Sequence, residues 1–476
     1  MYDIIVIGGG VIGGTVFREL TKYNLSVCLL EKENDVAMGQ SKANSGIVHA
    51  GFDAPEGSLK AKFNVLGNKM MKEYAKELGV KYVNNGSLVV AFSNEDIQTL
   101  QTLKKRGEVN GVEGLYIIDS EELHKIEPSI SKNAVGALVA PTGAIICPYE
   151  LTIASIGNAM DNGGTLITDF DVCQIQKIDE TFKITSTDGN VVEGKIIINA
   201  SGINSGKIAN LAGDDTITVK GRRGEYILLD RESGDLVSHT LFFTPTKKGK
   251  GILVSQTVDN NIILGPTAED VDVATTETTA NGLASVISKA GEMITSVPLY
   301  NTITSFTGVR AYSDKHDFII EESAKVKGLI NLAGIESPGL TSAPSIAKYT
   351  VEEIVSKLIV LTKNEKFNGV RKPDYFFKNL TVEEKNELIK KDKTYGRIIC
   401  RCESITEGEI IRAVRENPKA TSIDAVKRRT RAGMGRCQGG FCQPYVAEII
   451  ARELNIPFEQ VTKSGKNSNL VVGKTK

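Results

Sequence analysis

The 476-residue sequence has no apolar run approaching the roughly 18 residues that a bilayer-spanning helix needs. It has almost no net charge, formally −1 with 24% charged residues, which removes the electrostatic case for nucleic acid or a membrane surface as the main partner. Histidine is scarce, with four in the chain. Cysteine is scarce too, and its seven residues are unevenly placed: Cys28, Cys147 and Cys173 are scattered, and the other four lie near the C-terminus. That is not the framework of a secreted disulfide protein. An apolar strand begins at residue 2, leaving no room for a signal peptide, so the expected compartment is the cytoplasm. At this length one core does not suffice, and two or three domains are expected.

What is present begins with Met1 to Lys32. Tyr2 to Ile7 is nearly all apolar, as a buried parallel strand should be. Gly8-Gly9-Gly10-Val11-Ile12-Gly13 follows at once and matches G-x-G-x-x-G. A helical pattern runs from Val11 to about Tyr23, and a second apolar run, Ser26 to Leu30, ends in Glu31. In this strand–turn–helix–strand unit Gly8 makes the turn, Gly10 lets a pyrophosphate approach the backbone, and Gly13 lets helix and strand pack closely. The helix N-terminus offers free N–H groups to phosphates. Glu31, eighteen residues after Gly13, is placed to accept hydrogen bonds from a ribose hydroxyl. The unit predicts dinucleotide binding.

Further along, Asn44-Ser45-Gly46-Ile47-Val48-His49-Ala50-Gly51 is a small-residue loop holding one histidine. Helices are expected over Ser58–Leu78, Ser120–Ile126, Tyr149–Asp161, Asn281–Ile294 and Thr341–Leu358. Ser93 with Asp96 resembles a helix N-cap box. Strands are expected at Gly86–Phe92, Gly164–Asp169, Val172–Ile178, Phe182–Thr187 (with Asp188-Gly189 at a turn), Lys195–Asn199, Lys220–Asp230, Gly251–Gly265, Thr302–Val309 and Leu329–Ala333. The Lys195–Asn199 strand ends in Ala200-Ser201-Gly202, where a cofactor backbone can lie. After Leu329–Ala333, Gly334-Ile335-Glu336-Ser337-Pro338-Gly339 opens a second glycine turn into a helix. Lys363 to Lys393 reads as a linker or surface helix, and the last twenty residues as a polar, mobile tail.

Cys400-Arg401-Cys402 and Cys437-Gln438-Gly439-Gly440-Phe441-Cys442 give two close cysteine pairs thirty-four residues apart. Four thiolates so arranged hold either zinc or a [2Fe–2S] cluster. Gly433, Gly435, Gly439 and Gly440 crowd the second pair and would expose N–H groups to bridging sulfides, which favours the cluster. Helices are expected between the pairs, at Thr406–Arg415 and Ser422–Arg429. An internal disulfide across Cys-x-Cys would be strained.

With these residues in view, the chain resembles the FAD-dependent oxidoreductases of the D-amino-acid-oxidase superfamily, and within them the bacterial type II glycerol-3-phosphate dehydrogenases and oxidases. The resemblance covers about residues 1 to 365. Beyond the fingerprint it rests on the His49 loop, Gly57-Ser58-Leu59-Lys60-Ala61-Lys62, Arg223-Gly224-Glu225-Tyr226, Gly265-Pro266-Thr267, Gly308-Val309-Arg310 and Ala333-Gly334-Ile335-Glu336-Ser337-Pro338-Gly339-Leu340. The cysteine module resembles the ferredoxin-like [2Fe–2S] domain of bacterioferritin-associated ferredoxin. The His49 loop also resembles that of L-2-hydroxyglutarate dehydrogenases.

The resemblance implies an α/β (α+β overall) architecture. A Rossmann-like FAD-binding domain (1–85, 145–215, 305–365) interleaves with an antiparallel-sheet substrate domain (86–144, 216–304). A linker (366–394), a small helical [2Fe–2S] module (395–456) and a polar tail (457–476) follow. It implies non-covalent FAD held by Gly8, Gly10, Gly13, Glu31, Ser45, Gly202 and Gly339, and a cluster on Cys400, Cys402, Cys437 and Cys442. Oxidising an alcohol requires a base near neutral pH, which the resemblance puts at His49. A substrate phosphate or carboxylate needs fixed cations, for which Arg310 leads and Lys250 follows, with Ser337 as a hydrogen-bond donor. His124, His239 and His316 are expected to be structural or on the surface, and Cys147 and Cys173 simply packed. The implied activity is oxidation of sn-glycerol 3-phosphate, with electrons relayed through the cluster to a partner protein or quinone pathway. Peripheral attachment at the inner face of a membrane is compatible with it. Oxidation of L-2-hydroxyglutarate or of an amine such as hydroxyproline, and a non-catalytic electron-transfer subunit, are the rival readings.

Overall fold

The structure is a computed structural model and describes residues 1–245, 251–271, 275–371 and 376–473. The N-terminal unit forms as its pattern predicts. Strand β1, Tyr2–Ile7, pairs in parallel with Val191–Asn199 on one side and with β2, Val27–Leu30, on the other. Helix α1 is Val11–Leu20, three residues shorter than expected, because Thr21 closes it by bonding back to the Phe17 and Arg18 carbonyls. Thr165–Ile167 extends the sheet beyond β2, and Leu329–Ala333 joins the C-terminal half of Val191–Asn199 in parallel. The N-terminal half of that strand takes the antiparallel hairpin Val172–Ile178/Thr181–Ser186 instead. Ile4, Val6, Val16, Phe17, Leu20 and Leu29 are fully buried between α1 and the sheet, as a strand covered on both faces requires.

Helix α2, Leu59–Leu78, starts where Ser58 accepts the Ala61 N–H and ends at Gly79 in the left-handed conformation. Asp317 accepts the Leu59 and Lys60 N–H groups at 2.8 and 3.0 Å, a carboxylate where the helix dipole favours one. The expected Ser93 cap is present, with its hydroxyl accepting the Asp96 N–H.

A second, nine-stranded sheet is antiparallel except where Thr240–Phe243 meets Ser87–Ala91 in parallel. Its longest pair is Val219–Leu229 with Thr302–Ser313. That last strand runs across the domain boundary expected at 305: its residues 302–313 all lie in this sheet. The helix expected over 341–358 starts at Gly339, is regular to Tyr349, then widens over Thr350–Ile354 and tightens over Val355–Lys357.

The cysteine module has its own apolar centre, with Ile405, Ile410, Ala425, Val426, Val446 and Ile450 at 0–2% exposure. Its helices are Glu407–Arg415, Ile423–Thr430 and Gln443–Leu454. Its borders differ in part from expectation. The stretch read as a linker or surface helix does carry a surface helix, Val382–Lys391, but its start is strapped onto the first domain: Asn364 and Arg371 donate their N–H groups to Lys22 and Glu77 carbonyls. The tail is not loose either, since Val461 is buried in the module's centre and Thr462 pairs with Asn469.

Candidate active site

A cavity of about 1390 Å³ lies where the C-terminal ends of β1 and Val191–Asn199 meet the second sheet. It exceeds the roughly 300–1,000 Å³ typical of a small-ligand pocket, as a site for a dinucleotide plus a substrate must. Gly8, Gly10, Glu31, Ser45, His49, Gly202, Arg310, Ser337 and Gly339 all line it.

The glycine fingerprint is built by close approach. A Cβ on Gly8 (φ +112°) would stand 2.5 Å from the Ala200 carbonyl oxygen, and one on Gly13 would stand 1.9 Å from the Gly8 oxygen. Neither neighbour can move aside, being backbone. Gly13 does not line the cavity; it holds the turn. Gly10 is extended, and a Cβ there would meet the Ser41 hydroxyl at 3.2 Å. That hydroxyl accepts the Val11 N–H at 2.9 Å, and α1 has no acidic residue in its first turn, so its N-terminus is suited to an anion.

Glu31 is 7% exposed. Its carboxylate accepts the Gly9 N–H at 2.7 Å and the Glu33 N–H at 3.0 Å. Burial pushes its pKa up to about 7 against the pull of those two bonds. Each oxygen keeps a lone pair for a hydroxyl from the cavity.

His49 is half-buried on the loop between Ile47–Val48 and α2. Its N–H donates to Thr341 Oγ1 at 2.9 Å, and its carbonyl accepts from Asn64 and Asn68 at 3.1 and 3.2 Å. Its ring packs on Phe242 at 5.8 Å, and Nε2 lies 3.3 Å from Ser337 Oγ. Arg310, paired in register with Arg222, donates from Nη2 to the Thr267 carbonyl at 2.7 Å. Its Nε is buried without a hydrogen-bond partner among the described residues. Arg222 is committed to Asp270 at 2.6 Å and to the Tyr312 ring. Lys250 lies outside the described residues.

Of the other histidines, His124 bonds the Ser120 carbonyl and His239 bonds Glu127, both in structural settings. His316 is exposed as expected, yet it also lines the cavity. Cys147 is buried at the start of its helix, but Cys173, expected to be packed, is exposed on the hairpin. Sequence reasoning missed Ser41, Gln40, Phe242 and the Lys60–Glu336 ion pair (2.9 Å) in the cavity wall. Gln40 bridges three segments, taking the Ala311 N–H and donating to the Ile335 carbonyl, both at 3.3 Å. No local pattern signals such contacts.

The four module cysteines come together as two pairs. Cys402 and Cys437 have their sulfurs 3.7 Å apart. Cys400 and Cys442 share a hydrogen bond, which draws the Cys400 thiol down to about 6 and raises Cys442. The N–H groups of Gly433 and Glu403 point at the Cys400 sulfur, and those of Gly439 and Phe441 at Cys437. Among the described residues no three of these or other ligand types close on a single metal ion. Two thiol pairs ringed by backbone donors suit the two irons of a [2Fe–2S] cluster, one pair each, better than one tetrahedral zinc. The module is held to the rest by buried ion pairs. Asp35, 3% exposed, takes Arg429 at 2.7 Å and Arg428 at 2.5 Å. Burial alone would raise its carboxyl, but the two guanidiniums hold it below the usual range. Arg431 joins Asp259 (2.7 Å) to Glu403 (2.9 Å).

This fold and cavity define a flavin-dependent oxidoreductase with a fused iron–sulfur module, and the comparisons agree. The family model described as FAD dependent oxidoreductase matches residues 3–353, and that of the BFD-like [2Fe-2S] binding domain matches residues 398–452. The chain belongs to the FAD-dependent oxidoreductase family; it binds FAD and carries a [2Fe–2S] domain. It is 46% identical over 477 residues to the glycerol 3-phosphate dehydrogenase of Caloramator mitchellensis, covering 100% of this chain and 99% of that one. It is 33% identical to the glycerol 3-phosphate oxidase of Mycoplasma pneumoniae, covering 77% of this chain and 97% of that one. The solved L-α-glycerophosphate oxidase of M. pneumoniae with FAD bound superposes with a TM-score of 0.74 at 32% identity, covering 78% of this chain and 98% of that one. Among the described residues no helix is long and apolar enough to cross a membrane.

Proposed function

We propose that the chain oxidises sn-glycerol 3-phosphate to dihydroxyacetone phosphate and passes the electrons to an outside acceptor, a partner protein or a quinone pathway. When bound, FAD supplies the N5 atom that accepts a hydride, and the [2Fe–2S] group supplies one-electron exchange. The residues do the rest. His49 Nε2 takes the proton of the substrate hydroxyl, with its backbone tied by Thr341, Asn64 and Asn68 and its ring set by Phe242. Ser337 Oγ, 3.3 Å from Nε2, orients the ring. Arg310 is anchored through Nη2 in the cavity wall, so it presents a fixed cation to the phosphate. Lys250 is the second cation by resemblance.

The observation that carries this reading is one cavity lined by His49, Arg310, Gly8 and Gly10, in a chain 46% identical over its length to a glycerol 3-phosphate dehydrogenase. A pure oxidase hands its electrons to oxygen and gains nothing from a fused cluster, so the module favours a dehydrogenase.

The test is anaerobic mixing of the purified enzyme with sn-glycerol 3-phosphate, L-2-hydroxyglutarate, hydroxyproline and D- and L-amino acids in turn. Bleaching of the flavin by glycerol 3-phosphate alone is the expected result. Bleaching by another member instead would overturn the substrate, and bleaching by none would favour a non-catalytic subunit.

A further inference from the structure

Residues 453–473 lie beyond both matched families, yet they form a built loop. The Ile423 and Asp424 N–H groups donate to the Thr462 and Lys463 carbonyls at 3.1 and 2.9 Å, which fixes the segment to the start of a module helix. Thr462 pairs with Asn469 across the loop. Ser468 Oγ accepts the Ser464 N–H at 2.9 Å and donates to the Gly465 carbonyl at 2.7 Å, which shapes the tip.

The tip reaches the first domain. Lys466 Nζ meets Asp188 at 2.9 Å, and Gly465 packs on Asn34, whose Oδ1 is buried without a hydrogen-bond partner among the described residues. Ser464 is part of the wall of the large cavity. One residue past Asn34, Asp35 is gripped by Arg428 and Arg429 of the same module. Asn34 and Asp35 belong to the segment after β2 that starts with Glu31 and carries Gln40 and Ser41. Two anchors from the C-terminal module therefore converge on the segment framing the acid-bearing end of the cavity. In a strand–turn–helix–strand site of this type, that end receives the adenosine ribose.

We propose that the terminal loop Val461–Ser468, together with Arg428 and Arg429, is part of the FAD site. It closes the wall over the adenosine end of the cofactor, with Ser464 at the ligand and Asp35 as the positioning residue. The module then sets how tightly FAD is held, and by linkage bound FAD strengthens the docking of the module.

The test uses the full-length holoenzyme and two variants. Gly465→Val acts at the half-buried tip of the loop: Gly465 has φ +120°, and a side chain there would press on Asn34. Asp35→Asn weakens the buried clamp. The readouts are the rate of FAD release on dilution, followed by flavin fluorescence, the rise in melting temperature that added FAD gives, and iron content. The proposal expects Gly465→Val to release FAD at least about fivefold faster, with a smaller FAD-induced rise, unchanged iron and at most a small fall in the melting temperature of the FAD-free protein from backbone strain at the tip. Asp35→Asn should speed FAD release more strongly, with a lower FAD-free melting temperature because two buried guanidiniums lose their charged partner. Wild-type FAD release in Gly465→Val overturns the proposal, even if Asp35→Asn fails to fold. So does a fall in the FAD-free melting temperature of Gly465→Val large enough to account for its faster release.

Discussion

Replacing Glu31 by Gln should stabilise the FAD-free fold and weaken FAD binding at the same time. The carboxyl is buried, and its pKa stands at about 7 against 4.5 for the ordinary group. An acid raised on folding binds more protons folded than unfolded. The FAD-free fold therefore loses stability as pH climbs from 4.5 to 7 and carries the full penalty above that. At 1.36 kcal/mol per tenfold the penalty is about 3 kcal/mol. Gln removes the charge but keeps one oxygen to accept from Gly9 or Glu33, so it forfeits one bond worth about 1–2 kcal/mol. The net gain for FAD-free Glu31→Gln at pH 8 is about 1–2 kcal/mol by these figures, and near pH 5 it becomes a loss. Ribose hydroxyls donating to the carboxylate would stabilise its charged form, so FAD binding should release a proton and tighten as pH rises toward 7. Loss of such charge-assisted bonds should weaken FAD by about 1.5–3 kcal/mol, or roughly 10–150-fold. The assay is urea unfolding of FAD-free wild type and variant at pH 5 and pH 8, with FAD titrations beside it. Equal destabilisation by Glu31→Gln at both pH values would refute the buried-charge argument.

Other perturbations separate the parts of the site. His49→Ala should lower the rate of flavin reduction by substrate about 10²–10⁴-fold with FAD content unchanged; rapid-mixing absorbance checks it. Arg310→Met should raise KM far more than it lowers kcat, by about 1.5–3 kcal/mol for a lost charge-assisted bond to the substrate anion; steady-state kinetics with phosphorylated and unphosphorylated alcohols would show it. Gly13→Ala puts a methyl 1.9 Å from the Gly8 oxygen, so the purified variant should lack FAD and melt earlier. Cys437→Ser should abolish turnover with one-electron acceptors while substrate still bleaches the flavin, as iron analysis with anaerobic spectra would reveal.

The N-terminal unit was legible because its signals are local. A near-continuous apolar strand, glycines at fixed offsets and an acid at the end of the next strand lie within thirty-one residues, and the structure puts Gly8, Gly10 and Glu31 on one cavity. The His49 loop was legible through resemblance, but its setting was not. Thr341, Ser337 and Phe242 come from chain positions 292, 288 and 193 residues away and leave no periodic trace near His49. The same holds for Asp35, an ordinary acid in a polar stretch until Arg428 and Arg429 fold onto it. The tail was misread for a related reason. Its polar composition suggested mobility, yet one apolar anchor at Val461 and main-chain bonds to Ile423 and Asp424 suffice to order it. The boundary at 305 failed because the apolar pattern does not show that one strand, Thr302–Ser313, stays in a single sheet.

The most direct test of the central claim is a single anaerobic turnover of the wild-type enzyme with sn-glycerol 3-phosphate, recorded at flavin and cluster wavelengths together. The account predicts loss of the flavin band first, then cluster reduction, with dihydroxyacetone phosphate as product. A flavin left oxidised by glycerol 3-phosphate but reduced by a carboxylated hydroxy acid or an amine would contradict the substrate. A reduced flavin beside a filled cluster that stays oxidised would contradict the relay.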